Sequence, residues 1–113
     1  MENKSVVNAL ASLAQESRLV IFRLLVQAGP DGMPAGKISE MTGIPPSTMS
    51  FHLKELTHAN MVHSRQEGRF VIYSADFKTM NALLAFLTEN CCGGNPCLSV
   101  CTPACPAAEE SPA

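Results

Sequence analysis

Hydrophobic positions between residues 6 and 27 repeat at the spacing of an α-helix. In the first half they form a single stripe at i, i+3, i+4 and i+7, made by Val6, Ala9, Leu10 and Leu13. The second half starts after a break predicted near Glu16–Ser17 and is apolar nearly all round. A helix of that kind is buried, either in the core of the domain or against a partner subunit.

Two short helices joined by a glycine-bearing turn are predicted after the turn residues at positions 29–32. The first helix is predicted over residues 33–41. The second spans about residues 45–59 and begins with two prolines, because Pro is well tolerated at the first helical position. Gly43 lies in the connecting turn, where a left-handed backbone conformation is favoured. Helices in this arrangement are typical of a helix-turn-helix unit.

The two helices are expected to divide their residues between the core and solvent. Ile38 and Met41 of the first helix are predicted to face inward. Positions four and three apart form the inward face of the second helix, namely Met49, Leu53 and Leu56. The outward face of the second helix would then carry Ser47, Thr48, Ser50, Phe51, His52 and Lys54. Small hydroxyl side chains allow close approach to DNA, an aromatic ring can contact a thymine methyl, and an ammonium can bind phosphate.

Two strands around a short glycine-containing loop are predicted at residues 61–65 and 69–73. A hairpin directly after a helix-turn-helix unit is a wing. Arg65 and Arg69 are expected on either side of its tip, where both guanidinium groups would straddle a sugar-phosphate backbone. Together with the second helix, the wing predicts binding to double-stranded DNA.

A last helix is predicted from Asp76, a suitable N-cap residue, to about Asn90. Its apolar stripe consists of Phe77, Met80, Leu83, Leu84 and Leu87. The predicted fold class is therefore mainly α with a β-hairpin wing, an α+β winged helix-turn-helix domain over residues 1–90. Residues 91–113 are predicted to be a flexible cysteine-rich tail, rich in Pro, Gly, Ala and Ser and without regular structure from Gly93 onward.

Length and charge add two expectations. A chain of 113 residues builds one compact core, and a domain this small often buries its remaining apolar surface by pairing with a second copy. The net charge of −2 does not exclude DNA binding, because every Lys and Arg lies at or before Lys78 and phosphate responds to a local basic patch. The mild acidity does predict modest non-specific affinity.

The N-terminal run MENKSVVNAL contains no apolar stretch long enough for an export signal or a membrane span. We therefore expect a cytoplasmic protein without a membrane partner, whose thiols stay reduced. All five cysteines fall between Cys91 and Cys105, which argues against a disulfide framework and leaves metal binding or redox chemistry. The sequence shows neither a nucleophile–base pair nor a phosphate-binding loop, so we expect no enzyme, no small organic substrate and no organic cofactor.

A resemblance to a known family rests on the run PPSTMSFHLKELTHANMVHSRQEGRFVIYSA. It is similar to the recognition helix and wing of the arsenic-responsive ArsR/SmtB repressors. The earlier run ALASLAQESRLVIFRLLVQAG resembles the helical segment ahead of that family's helix-turn-helix unit, and the likeness covers most of residues 6–90. The resemblance implies a homodimeric repressor, paired mainly through its first and last helices. It also implies a palindromic operator that is bound without the ion and released with it.

The ion sites of that family differ in position, and two of them are not expected in this chain. Some arsenic-sensing relatives keep paired cysteines in the first helix of the helix-turn-helix unit, whereas the corresponding run GKISEMTG has none. A zinc site on the last helix would need Asp and His, and residues 76–90 contain no His. The run ENCC with a nearby Cys resembles the site of a subgroup of arsenite-responsive members. The predicted ligands are Cys91, Cys92 and Cys97, with Cys101 and Cys105 as substitutes or delivery ligands.

The chemistry of these cysteines favours a soft effector. Thiolates select soft ions over hard ones, and three sulfurs suit trivalent arsenic or antimony, whereas zinc or cadmium would call for a fourth. The predicted effector is therefore arsenite or antimonite, acting on a repressor of arsenic-resistance genes. Three alternatives stay open: a cadmium- or zinc-responsive repressor, a thiol-redox-responsive repressor, and a thiol-rich metal buffer or carrier.

Overall fold

A computed structural model describes residues 1–94 of the chain. Five helices and three strands follow one another in the order α1 (Asn3–Leu13), α2 (Glu16–Ala28), β1 (Met33–Pro34), α3 (Ala35–Thr42), α4 (Pro46–His58), β2 (Val62–Glu67), β3 (Phe70–Ala75) and α5 (Phe77–Leu87). The predicted fold class, mainly α with a β-hairpin wing, is confirmed. The predicted break between the first two helices is also confirmed, one or two residues before the expected position.

The core forms around α2, which packs against α1, α3, α4 and β3. Ile21 and Leu25 of α2 are fully buried, as is Ile38 of α3. All three residues predicted to form the inward face of α4 are buried beside them, namely Met49, Leu53 and Leu56. Removing side chains of this size from water contributes about 1.5–3 kcal/mol each, so this cluster fixes how α4 sits on the domain.

Two predictions for the first helix of the helix-turn-helix unit are wrong. Met33 and Pro34 are not helical, because they extend the sheet as a short strand opposite Tyr73 and Ile72 of β3. Met41 does not face inward, and its side chain is 55% exposed. The reason is that α3 has only eight residues and touches the core through a narrow stripe that Ile38 alone fills.

The sheet has the order β1–β3–β2, with both pairs antiparallel. The wing strands β2 and β3 are longer than predicted and are joined by a two-residue turn at Gly68 and Arg69. Gly68 has a φ of 62°, which suits the first central position of a tight hairpin turn. The base of the wing is bonded to its surroundings, since the amide of Met61 donates to the carbonyl of Leu56 at 3.0 Å.

Helix α5 begins as predicted and ends earlier. The Asp76 carboxylate accepts from the Thr79 amide at 3.0 Å, so Asp76 is confirmed as the N-cap. The helix stops at Leu87 instead of near Asn90, whose φ of 56° interrupts the helical path. A 3₁₀ turn at Cys91–Gly94 follows, so regular backbone continues slightly past the predicted start of the tail. Within residues 1–94, no helix is long and apolar enough to cross a membrane.

We expect Gly32→Ala to lower the free energy of unfolding more than Gly43→Ala does. Both glycines have a positive φ, 66° and 78°, which costs another residue type about 1–2 kcal/mol. Only at Gly32 would the added Cβ also collide with the Tyr73 carbonyl oxygen, because the turn lies directly on β3. Urea unfolding of both variants measures the difference. Equal losses would show that the turn can move away from β3 without cost.

Candidate nucleic-acid interface

The turn between α3 and α4 is locked by its own backbone and by one threonine. Gly43 adopts the left-handed conformation, with φ 78° and ψ 4°, as predicted. The Thr42 hydroxyl donates to the Ile38 carbonyl at 2.8 Å and accepts from the Ile44 amide at 3.3 Å. These contacts fix the angle at which α4 leaves the turn.

The outer face of α4 presents five of the six residues predicted to face outward. The exposed residues are Ser47, Thr48, Ser50, Phe51 and Lys54. Phe51 is 55% exposed, although it is the largest apolar side chain on the helix. An exposed surface of small hydroxyls, one ring and one ammonium can approach a groove closely and contact phosphates, base edges and thymine methyls.

His52 is the exception, and the prediction that it faces outward is wrong. Its side chain is 5% exposed, and its Nδ1 atom has no hydrogen-bond partner within the described part of the chain. Burial lowers the pKa of His52 below its ordinary value of 6.5, and the positive charge of Arg18 lowers it further. The sequence did contain the signal: positions 49, 52, 53 and 56 follow the i, i+3, i+4, i+7 spacing of a buried stripe.

A polar link between α2 and α4 was not predicted from the sequence. Arg18 at the start of α2 lies 3.9 Å from the Glu55 carboxylate on α4, and the arginine side chain is only 15% exposed. Its Nε atom is buried without a hydrogen-bond partner among the described residues. The arginine therefore lies between two helices and beside His52, and it carries a charge into the contact that orients α4.

The two wing arginines are placed differently from one another. Arg69 is exposed in the turn at the wing tip, as predicted. Arg65 lies within β2 opposite Ile72, three positions before Gly68 of the turn, and does not flank the tip. Its guanidinium donates to the carbonyls of Pro30 and Asp31 in the turn after α2, at 3.4 and 2.8 Å. Only Arg69 therefore lies in the turn at the tip, and contact of either arginine with a DNA backbone stays a prediction.

The predicted ion ligands lie at and beyond the end of α5. Cys91 is half-buried and opens the 3₁₀ turn that follows the helix, and Cys92 is the next residue. Cys97, Cys101 and Cys105 lie outside the described residues. Among residues 1–94, no group of three or more His, Cys, Asp or Glu side chains lies close enough together to hold a metal ion.

Apolar side chains remain exposed on the helices at both ends of the domain. They are Val7 and Leu10 on α1, and Leu84 and Leu87 on α5. Next to them, a cleft of about 410 Å³ opens between α2 and α5, with Leu19, Phe22, Met80 and Leu84 in its wall. Exposed apolar residues on a small domain are suited to contact with another protein surface when they lie together.

Comparison with known proteins agrees with this geometry. A family model described as a helix-turn-helix domain matches residues 13–65. The transcriptional regulator YgaV of Escherichia coli K12 is 28% identical over 83 residues, which are 74% of this chain and 82% of YgaV. The helix-turn-helix unit of this chain is therefore similar to that of transcriptional regulators.

Solved structures show the same winged fold. An ArsR-like regulator from Rhodococcus sp. RHA1 superposes with a TM-score of 0.67 and 23% identity, over 77% of this chain and 78% of that one. HlyU from Vibrio cholerae N16961 superposes with a TM-score of 0.63 and 26% identity, over 81% of this chain and 99% of HlyU. The fold is therefore that of ArsR-like regulators.

We expect the stability of this protein to fall as the pH drops below about 6.5, with His52 as one cause. Because the folded pKa is lowered, the unfolded chain takes up a proton first, and protonation then favours unfolding. His52→Gln should remove part of this pH dependence. His58→Gln, at an exposed position on the same helix, should leave it unchanged. Urea unfolding at pH 7.5 and pH 5.5, about one pH unit on either side of the ordinary His value, compares the variants. If the free energy of unfolding changes by the same amount between the two pH values in wild type and in His52→Gln, the assignment to His52 is contradicted.

Proposed function

We propose that this regulator is a homodimeric repressor that dissociates from a palindromic operator when trivalent arsenic or antimony binds its C-terminal cysteines. The genes released from repression would be those for arsenic resistance. The observation that carries the proposal is the position of the cysteine cluster, which begins at Cys91, four positions after the last residue of α5. The exposed face of α4 supplies the DNA-binding half.

DNA binding is supported by what α4 and the wing expose. The outer face of α4 carries three small hydroxyl residues and Lys54, and Arg69 extends from the wing tip. A recognition helix in the major groove and a cation on the adjacent backbone are the usual contacts of this fold. With few exposed cations on these elements, affinity would rest on base and shape contacts more than on charge, in keeping with the net charge of −2.

Dimerisation is supported by the exposed apolar residues of α1 and α5. Leu87 is 55% exposed and Val7 is 61% exposed, on helices at opposite ends of the sequence. A second copy would cover both at once and would set the distance between two recognition helices. Palindromic half-sites about one helical turn apart require such a fixed distance.

The effector is inferred from the chemistry of the ligands. Cys91 and Cys92 are adjacent, and Cys97 follows a Gly-Gly pair by two residues, so three thiolates can converge on one soft ion. Three sulfurs suit arsenite or antimonite, and a fourth from Cys101 or Cys105 would suit zinc or cadmium. An ion bound there would reorganise the end of the helix that carries Leu84 and Leu87.

A thiol-redox response is the second candidate. Neighbouring thiols such as Cys91 and Cys92 can be oxidised, and one of the solved HlyU structures is of the reduced protein. The cadmium- or zinc-responsive repressor and the thiol-rich buffer or carrier are tested by the same titration, because a carrier has no need of DNA specificity.

The test is a titration of the protein–DNA complex followed by fluorescence anisotropy. A labelled duplex is first selected by the reduced protein from a randomised pool of about 30 base pairs, long enough for two half-sites. We expect near-stoichiometric arsenite to release it. Cys91→Ser and Cys92→Ser should bind the duplex as wild type does and should not release it, because each lacks one of three sulfurs. Cys105→Ser is the matched control and should release normally.

Each other outcome points to a different function. Release by cadmium or zinc alone would favour a four-ligand site over the proposed three-sulfur site. Release by a disulfide-forming oxidant alone would favour the redox candidate. Normal release of the Cys91→Ser variant by arsenite would place the ion site elsewhere. If the protein selects no duplex, the thiol-rich buffer or carrier is the remaining candidate.

We expect Leu87→Glu to convert the dimer to a monomer and to weaken operator binding at least tenfold, because one half-site contact is lost. Met41→Glu is the matched control, since Met41 is also 55% exposed but lies on α3. Sedimentation velocity measures the oligomeric state of both variants. A Leu87→Glu protein that stays dimeric would show that α5 does not form the interface.

A further inference from the structure

Arg65 is the most heavily bonded cation of the described chain, and its partners are all within the protein. Its Nη2 donates to the Asp31 carbonyl at 2.8 Å, and its Nη1 donates to the Pro30 carbonyl at 3.4 Å and to the Ser74 hydroxyl at 3.3 Å. Its Nε donates to the Glu67 carboxylate at 2.6 Å. The guanidinium group thus joins both wing strands to the turn that ends α2.

The turn that receives Arg65 is itself pressed against the wing. Ser74 is 1% exposed, and its hydroxyl donates to the Pro30 carbonyl at 3.2 Å. At Gly32 an added Cβ would lie 2.5 Å from the same hydroxyl oxygen. The turn at Pro30, Asp31 and Gly32 therefore packs directly on β3, with no room for a side chain at Gly32. We call this arrangement of Arg65, Ser74 and the turn at residues 30–32 the wing anchor.

The wing anchor connects the two elements that would meet DNA. α2 packs directly on α4, and the turn after α2 is bonded through Arg65 to β2. Arg69, four residues further along, stands exposed at the tip. The distance from α4 to Arg69 is thus set by the anchor as well as by the short connection between α4 and β2.

We propose that Arg65 is a positioning residue that holds the wing at the angle at which Arg69 meets the DNA backbone, and that it makes no phosphate contact of its own. This inference rests on the proposed function, because it concerns how the same DNA surface is built. It distinguishes two arginines that lie four positions apart on one hairpin. Arg69 acts on the DNA, and Arg65 acts on Arg69 through the fold.

The first experiment separates these roles by salt dependence. Dissociation constants of wild type, Arg65→Ala and Arg69→Ala are measured by anisotropy on the selected duplex over a range of NaCl concentrations. Each lost phosphate contact lowers the slope of log K against log salt by about 0.9. We expect that decrease for Arg69→Ala. For Arg65→Ala we expect a slope closer to wild type at moderate salt, with binding weakened on the order of tenfold, which is about 1.4 kcal/mol.

Conservative substitutions give a second readout. An ammonium group can replace a guanidinium at a phosphate, but it cannot reach two carbonyls, a hydroxyl and a carboxylate in one plane. We therefore expect Arg69→Lys to bind nearly as wild type and Arg65→Lys to bind almost as weakly as Arg65→Ala.

Ser74→Ala tests the anchor without changing charge. Ser74 is buried and cannot touch DNA, yet it bonds both Arg65 and Pro30. We expect Ser74→Ala to weaken binding several-fold and the Arg65→Ala/Ser74→Ala pair to be less than additive, because both changes break one network. This variant also carries the test if Arg65→Ala does not fold.

Results of the opposite kind would overturn the assignment. A slope decrease of about 0.9 in Arg65→Ala, rescue by Arg65→Lys and no effect of Ser74→Ala would together make Arg65 a phosphate contact. If the wild type selects no duplex, the proposed function fails, but the anchor is still tested in the DNA-free protein. Amide hydrogen exchange at Gly32, whose N–H donates to the Gly29 carbonyl at 3.1 Å, should then be faster in Arg65→Ala and unchanged in Arg69→Ala. Unchanged exchange in Arg65→Ala would refute the anchor itself.

Discussion

The burial of α2 between α4 and β3 is the interaction on which the rest of the structure depends. Ile21 and Leu25 are fully excluded from water, and the elements that pack on α2 include both halves of the proposed DNA surface, α4 and the wing strand β3. A buried core is close-packed, so the elements that pack on it shift as rigid bodies and do not deform smoothly. Helix α4 and the wing therefore share one support.

That support contains polar groups that a stable core would not need. Arg18 and His52 each have a buried nitrogen without a hydrogen-bond partner in the part of the chain described, and such an atom costs about 1–3 kcal/mol. The apolar contacts of Leu53 and Leu56 on the same helix offset this cost. Burial lowers the pKa of His52 and so keeps its ring neutral near neutral pH. The charged side chains at the contact between α2 and α4 are then Arg18 and Glu55.

Periodicity predicted the five helices, the wing and the inward face of α4, because those features depend on residues close in sequence. Periodicity did not predict the position of residues whose contact partners lie far away in the sequence. Arg65 was expected to flank the wing tip because it precedes a glycine loop, yet it bonds to Pro30 and Asp31, which precede it by more than thirty positions. Met33 and Pro34 were assigned to a helix because their pairing with β3 is invisible locally. His52 is different, since its spacing showed burial and only its polarity argued otherwise.

The position of α5 shows how the proposed sensor and the DNA surface can be connected without a path through the core. At its start, the Asp76 amide donates to the Met61 carbonyl at 2.8 Å, just before the first wing strand. At its end, the chain enters the turn that begins at Cys91. Eleven residues of α-helix span about 16 Å, so α5 has the wing base at one end and ends four positions before the first candidate ligand. Coupling energies between sites are typically about 1–3 kcal/mol, far below the burial energy of the core. A change at Cys91 would therefore act by tilting α5, with its exposed Leu84 and Leu87, against a domain that stays folded.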